Sequence, residues 1–324
     1  MSKFIDLESD VVISGPLIAF GDNRPLITPA PFADAIEHFR FGGSAASRTG
    51  LINGRALRRG VAQTSVVGGA SYTSAPAVAL AGAGAAGLTA TGFITNGGAF
   101  ASAVISGQPL DDGSAVTATL SGGSGGAGAA VTLSRGVEPT YTAASLILTP
   151  GRANGLISDI DDALLYTEAY LMKRPAAGAG TWIGGSAVYP GWTASNTVGG
   201  DGFFWTTGNQ IQWQSANTTV LLTPPASWAP GTYGVLIVAY YAGQGVAYAF
   251  GPDGTVTSAT IAAAKILASP QRKRAIGGVN WDFGTDYRAL ELSSFAYWAS
   301  ALTAGQMASR AYDMLDYARD VALI

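Results

Sequence analysis

The sequence predicts an all-β chain: a two-sheet sandwich that carries a Gly/Ala-rich β insert and ends in one helix. Three observations lead there. Forty-four glycines and 15 prolines punctuate the 324 residues at the density of many short strands and turns. From Val137 onward, apolar and polar residues alternate with a strand's period, and a helical period emerges only after Thr303. Finally, Ala62 to Gly136 is almost all Gly, Ala, Ser, Thr and Val, with Asp111, Asp112 and Arg135 its only charges. Its flanks, Phe39–Ser44 with Gly54–Leu57 before and Glu138–Leu148 after, read as neighbouring strands of one sheet. The expected organisation is therefore an N-terminal arm (1–30), a sandwich (31–61 plus 137–324) and an inserted β-repeat module (62–136).

In chain order, Val11–Phe20 is apolar and is followed by Pro25, Pro29 and Pro31, which disfavour a helix. It is expected to form either a strand and loop tied to the sandwich or an arm that pairs with a neighbouring subunit's sheet edge. Within the insert, Gly68–Leu80 and Asn96–Leu120 each join an aromatic turn (Tyr72, Phe100) to an alternating strand. A partial third copy starts at Gly122, so a period of about 25 to 30 residues predicts stacked or pseudosymmetric β units rather than a linker. Val78, Leu80, Leu88, Val104, Val116, Leu120, Val131 and Leu133 recur at strand spacing in support of this. Tyr166–Arg174, Tyr233–Tyr241, Val246–Phe250 and Tyr287–Trp298 are the strongest strands, with a turn at Gly251-Pro252-Asp253-Gly254. Thr303 and Gln306 have capping-box spacing, and Met307, Ala311, Leu315, Ala318 and Ala322 form one stripe of the helix that follows.

Composition narrows the function classes. Charge is scarce at 12% and the net charge is −3, so no nucleic-acid partner is expected. No apolar run reaches the roughly 18 residues of a membrane span, and Met1–Asp6 has no apolar region of a secretory signal. The absence of cysteine removes disulfides, thiolate nucleophiles and Cys-based metal sites.

Two resemblances follow from these residues. The pattern Gly68-Gly69-Ala70-Ser71-Tyr72-Thr73-Ser74-Ala75-Pro76-Ala77-Val78, with its Gly-rich turn and Thr-containing strand, resembles a repeat common in bacteriophage tail and fibre proteins. Phe39–Gly42, the strand Glu168–Arg174, the Gly184-Gly185 turn and the ending Phe295–Trp298 … Ala301–Met307 resemble a concanavalin A-like (laminin-G/lectin-type) jelly roll. Together they imply a virion structural protein, a tail-associated fibre, spike or baseplate subunit acting in assembly and host attachment. They also imply a homo-oligomer, a trimer by analogy with fibres and spikes, contacting other virion proteins and a host cell-surface glycan. A lectin-like receptor module, a capsid decoration protein and a polysaccharide depolymerase are the alternatives.

The chemistry-bearing residues point away from an enzyme. Glycosidases of the concanavalin A-like class carry a Glu-x-Asp-x-x-Glu or Glu-x-Asp-x-Glu strand, which this chain lacks. Asp159, Asp161 and Asp162 precede Ala163-Leu164-Leu165 and read as turn or helix caps. For a Ca²⁺ ion, the one cofactor considered, the candidate ligands are Asn280, Asp282 and Asp286, with Asp201 as another. His38 has no second His or Cys and reads as a packed or strand-edge residue. Arg272-Lys273-Arg274 reads as a solvated loop or an ion-pair partner across a subunit interface. The aromatics Tyr189, Trp192, Trp205 and Trp213, with Asn196, Asn209, Gln210 and Gln214 nearby, suit stacking on a sugar. Trp205 and Trp213 also fit a sandwich core or a subunit interface.

Overall fold

The computed structural model describes residues 30–111, 113–151, 153–176, 180–186, 199–215, 218–278 and 289–324. The 1–29 stretch of the expected arm lies outside them. The chain opens with β1 (Glu37–Arg40) and β2 (Arg58–Arg59), then runs through β3 (Val61–Ala70), β4 (Ala77–Ala81), β5 (Leu88–Ile94), β6 (Phe100–Gly107), β7 (Thr117–Ser121) and β8 (Ala127–Arg135). It continues with β9 (Thr140–Tyr141), β10 (Leu146–Leu148), β11 (Leu156–Asp161), β12 (Tyr166–Lys173), β13 (Thr181–Gly185), β14 (Asp201–Trp205) and β15 (Ile211–Ser215). Then come β16 (Thr218–Leu222), β17 (Tyr233–Tyr240), β18 (Gly245–Phe250), β19 (Val256–Ile261), β20 (Lys273–Ile276), β21 (Leu290–Trp298) and α1 (Ala304–Asp320).

Two antiparallel sheets form a sandwich of the jelly-roll class. One has the order β19-β18-β17-β12-β21-β10-β9, with β1 also on β21; the other is β16-β15-β14-β13-β20-β11-β2. The central strands β12 and β17 of the first sheet are buried on both faces, which explains why β17 has no charged or amide side chain at any position. Tyr166, Tyr170, Met172, Leu236, Val238 and Tyr240 point between the sheets. Ala169, Leu171, Val235, Ile237 and Ala239 point outward onto Met307, Ala311, Met314, Leu315 and Ala318 of α1. Thr303 caps that helix as expected: its side chain accepts from the Gln306 N–H, and the Gln306 side chain accepts from the Thr303 N–H. Ala322 departs from the expected stripe, because the helix ends at Asp320 and Ala322 is exposed at φ 58°.

In β21 the inward phase changes from Leu290 and Leu292 to Phe295 and Tyr297. The register slips between Leu171↔Ser294 and Met172↔Leu292, so one extra residue is accommodated there. Ser293 Oγ donates to the Ala144 carbonyl (2.7 Å) and Ser294 Oγ to that of Phe39 (2.9 Å), satisfying the hydroxyls buried at the slip.

The segments on either side of residues 61–135 meet again on β21. β1 pairs with Ser294–Tyr297 and β10 with Leu290–Leu292, end to end on the same edge. Between them, the six strands β3–β8 pair only with one another among the described residues. The pairing is nested, β3 with β8, β4 with β7 and β5 with β6, rather than running repeat by repeat as the sequence suggested. Tyr72 and Phe100, the aromatics of the apparent repeats, instead share one small core with Val61, Ala103, Ile105 and Val116. Tyr72 lies so close over Gly126 that a Cβ there would fall 2.1 Å from its ring. The chain leaves and returns at one point: the Gly136 N–H donates to the Gly60 carbonyl at 2.8 Å. Gln108 Nε2 also donates to the carbonyls of Ala56 (2.6 Å) and Ile157 (2.7 Å), and Val104 packs on Ala268.

Removing residues 61–135 and joining Gly60 to Gly136 is therefore expected to leave a folded sandwich. The loss of the Gln108 hydrogen bonds and the Val104–Ala268 contact should cost about 2–3 kcal/mol in a denaturant titration. Aggregation of this deletion would show that the sandwich requires the β3–β8 unit to fold.

Candidate functional site

At one end of the sandwich the apolar interior gives way to charge. Glu168 occupies an inward position of β12 between Tyr166 and Tyr170, and its side chain is wholly buried. Arg274, on β20 of the opposite sheet, is equally buried and reaches across to it, donating through Nη2 to Oε1 and through Nε to Oε2 (3.2 Å). Arg274 Nη1 also contacts Asp201 Oδ1 of β14 (2.5 Å), Asp162 Oδ1 (3.1 Å) and Ser186 Oγ (3.2 Å). Lys265, from the β19–β20 connection, contacts Asp162 Oδ1 and lies 3.3 Å from Asp201 Oδ1. Tyr166 donates its hydroxyl to Asp201 Oδ2, while its ring carries Lys265 Nζ (4.2 Å) and Arg274 Cζ (4.5 Å) on its face.

Three carboxylates and two cations leave one excess negative charge, and the proton balance reflects it. Burial pushes Glu168 up to about 7, only partly offset by Arg274. Burial also acts to raise Asp201, but Arg274 and Lys265 outweigh it and hold the group at about 2. Arg274, penalised by burial, is nevertheless driven well above its ordinary value by Asp201 and Glu168.

The cluster underlies a loop surface. The registers Tyr166↔Tyr240, Thr167↔Trp298, Tyr240↔Gly245 and Gly245↔Ile261 bring the connections β11–β12, β17–β18, β19–β20 and β21–α1 to this end. In the second sheet, Gly185↔Gly202, Asp201↔Ser215 and Ser215↔Thr218 bring the adjoining ends of β13, β14, β15 and β16 to the same side of the sandwich. The roots of β13–β14 are pinned, with the Ser186 N–H donating to the Asp201 carbonyl (2.8 Å) and the Gly200 N–H to that of Ile266 (2.6 Å).

Several sequence expectations change here. Asp162 accepts the Ala163 N–H at its turn (3.1 Å), as expected of a cap, but it and Asp201 are members of the buried cluster; Asp159 and Asp161 sit at the surface, paired with Arg55 (2.9 Å) and Lys273 (2.8 Å). Arg272-Lys273-Arg274 is not a solvated loop: Arg272 and Arg274 are buried, and Lys273 and Arg274 begin β20. Trp205 and Trp213 are also core residues, packed edge-on against Trp228 and Tyr240, and offer no face to a glycan. Tyr189, Trp192, Asn280, Asp282 and Asp286 lie outside the described residues. Among the described residues, no group of three or more His, Cys, Asp or Glu is arranged to hold a metal.

Glu37 and His38 are buried away from the cluster. His38 is packed, as expected, 4.4 Å from the Phe32 ring. The Phe32 N–H donates to Nδ1 (3.1 Å), which places the ring proton on Nε2, facing Ser294 Oγ at 2.9 Å. Burial, aided by Arg40, lowers the His38 pKa to about 3. Sequence reasoning passed over Glu37, whose carboxylate accepts the N–H groups of His38, Ile52, Asn53 and Arg55 at 2.8–3.0 Å and so folds the 50–55 loop around itself.

No protein-family model matches the chain, and no curated protein matches it. Among solved structures it is similar to the receptor-binding domain of botulinum neurotoxin D, at 12% identity and TM-score 0.38, over 55% of this chain and 46% of that one. It is similar to the Ruminococcus gnavus IT-sialidase CBM40 bound to α2,3-sialyllactose, at 14% identity and TM-score 0.36, over 45% of this chain and 82% of that one. The Trypanosoma rangeli sialidase in complex with sialic acid gives 13% identity and TM-score 0.39, over 57% of this chain and 29% of that one. These are remote likenesses, and the chain spans less than half the length of the neurotoxin domain.

Two titrations that span the mildly acidic range oppose each other. Glu168, raised from 4.5 to about 7, favours the folded state below pH 4.5, and that stabilisation is lost as pH rises through 7. His38, lowered from 6.5 to about 3, favours the folded state above pH 6.5, and that stabilisation is lost as pH falls toward 3. Between pH 4.5 and 6.5 the slopes largely cancel. Glu168→Gln should therefore uncover the His38 slope, with urea midpoints that fall on acidification by up to about 3 kcal/mol equivalent. A pH profile parallel to that of the unaltered protein would contradict the assignment.

Proposed function

We propose that the chain is a non-catalytic recognition subunit, a lectin-like β-sandwich that takes a glycan or glycan-bearing receptor at its charged-cluster end. The observation behind this reading is the convergence of loops from both sheets over a fully buried ionic cluster. A rigid base beneath a loop surface is what specific, non-catalytic binding needs. Trp205 and Trp213 are committed to the core, so stacking on sugar falls to Tyr189 and Trp192. By sequence these lie between β13 and β14, whose roots the cluster pins. Flat aromatic faces suit the apolar faces of sugars, and the amide of Asn196 in the same segment suits their hydroxyls.

The setting we propose is a bacteriophage virion, with the protein as a tail-associated, homotrimeric display subunit and capsid decoration the nearest variant. The 61–135 unit supports this second level of the reading. Its sequence resembles phage tail repeats, and β4, β7 and β8 turn alternate Ala, Thr and Ser residues to solvent. Small polar faces of this kind allow close approach of other virion subunits.

A glycan array probed with the full chain should identify a ligand, and Trp192→Ala should weaken its binding about tenfold with an unchanged melting curve. Unaltered affinity in Trp192→Ala, or no ligand among host-surface glycans, would refute the recognition reading. Native mass spectrometry should show a trimer; a monomer at micromolar concentration would remove the fibre-like assembly.

A further inference from the structure

Within the loop-end cluster, Lys265 and Asp162 are placed to do more than pair. Both side chains are wholly buried, and Lys265 Nζ contacts Asp162 Oδ1 directly. Arg274 Nη1 lies 3.1 Å from that same oxygen. The second oxygen, Asp162 Oδ2, is buried and has no hydrogen-bond partner. Another carboxylate oxygen, Asp201 Oδ1, is 3.3 Å from Nζ. Aromatic rings close the space, with Nζ 4.2 Å from the centroid of Tyr166 and 5.9 Å from that of Tyr240. This is an amine held against a carboxyl group, with a proton acceptor beside the amine and a cation beside the oxygen that would gain charge.

We propose that Lys265 and Asp162 condense into an intramolecular amide bond. Lys265 Nζ bonds to Asp162 Cγ, and the Cγ–Oδ2 bond breaks. Of the three ammonium protons, one stays on the amide nitrogen and two leave with Oδ2 as water. Asp201 takes one of these in transit and is regenerated. No oxidant, metal or activated co-reactant is needed. Arg274 stabilises the negative charge that develops on Oδ1, the oxygen retained as the amide carbonyl.

Two physical terms drive the reaction. Holding both groups in contact makes it unimolecular, equivalent to a very high local concentration of amine. Condensation also replaces a buried ammonium and a buried carboxylate, each costly to desolvate, by one neutral amide. Exclusion of bulk water opposes hydrolysis of the product. The bond would tie the first residue after β11 to the β19–β20 connection, positions 103 residues apart in sequence. That covalent clamp lies directly under the loop surface and is independent of what those loops bind.

Intact-mass measurement of the denatured, full-length protein tests this. The expected mass is one water below that of the sequence, with a tryptic map that joins the peptide containing Asp162 to the one containing Lys265 and shows no cleavage after Lys265. Lys265→Arg, which keeps the charge, should return to its sequence mass and melt at a lower temperature. Asp201→Asn should leave a large unlinked fraction that closes slowly on incubation, whereas complete linkage in that variant would remove Asp201 from the reaction. A native protein at its full sequence mass would overturn the proposal. So would a water loss that maps elsewhere, such as a succinimide at Asp253-Gly254.

Discussion

The sandwich is organised around the guanidinium of Arg274. From β20 it crosses the interior to Glu168 on the opposing sheet, and it also holds Asp201 on its own sheet and Asp162 in the β11–β12 connection. Apolar residues could occupy the same space, and a buried ionic cluster is weak evidence of net stability. What the cluster supplies is specificity. Each carboxylate is costly to bury without its cation, so the sheets are penalised for any register that separates Arg274 from its three partners. The aromatic rings of Tyr166, Tyr240 and Tyr297 surround the charges and exclude water, which strengthens the attraction.

Much of this fold was legible in the sequence, and the failures share a cause. β12, β17, β18 and β21 were read from alternation, and α1 from its capping box, because those signals are local. The one extra residue in β21 was not, since it shows only when Leu290, Leu292, Phe295 and Tyr297 are known to share a face. The charged core was missed for a related reason. Asp159-Ile160-Asp161-Asp162 and Arg272-Lys273-Arg274 look solvated in isolation, and only pairing between distant segments turns Asp162 and Arg274 inward. One clue was present: Glu168 stands in phase with Tyr166, Tyr170 and Met172, so an inward carboxylate required a buried cation. The 61–135 unit gives the same lesson, because similar composition in successive segments suggested successive units, whereas its strands pair first with last.

The two parts of the chain divide the work differently. The 61–135 unit is closed by small side chains and backbone proximity: Gly69, Gly82, Gly98 and Gly107 take positive φ where a Cβ would meet backbone atoms of the facing segment. The sandwich is closed by large aromatics and by charge, and the ionic cluster sits among the strand ends that carry its loops. Candidate recognition residues found by composition alone divide accordingly. Trp205 and Trp213 serve the core, while Tyr189 and Trp192 belong by sequence to a segment rooted on the cluster.

Arg274 holds the two sheets together at the loop end, and hydrogen exchange in Arg274→Met measures this most directly. The variant should lose amide protection selectively at Tyr166–Glu168, Asp201–Phe203 and Ala275–Ile276, with α1 and the ends of β12 and β17 near Lys173 and Tyr233 still protected. Protection at the loop end equal to that of the unaltered protein would contradict it, and would make the cluster a passenger of a fold that apolar packing already determines.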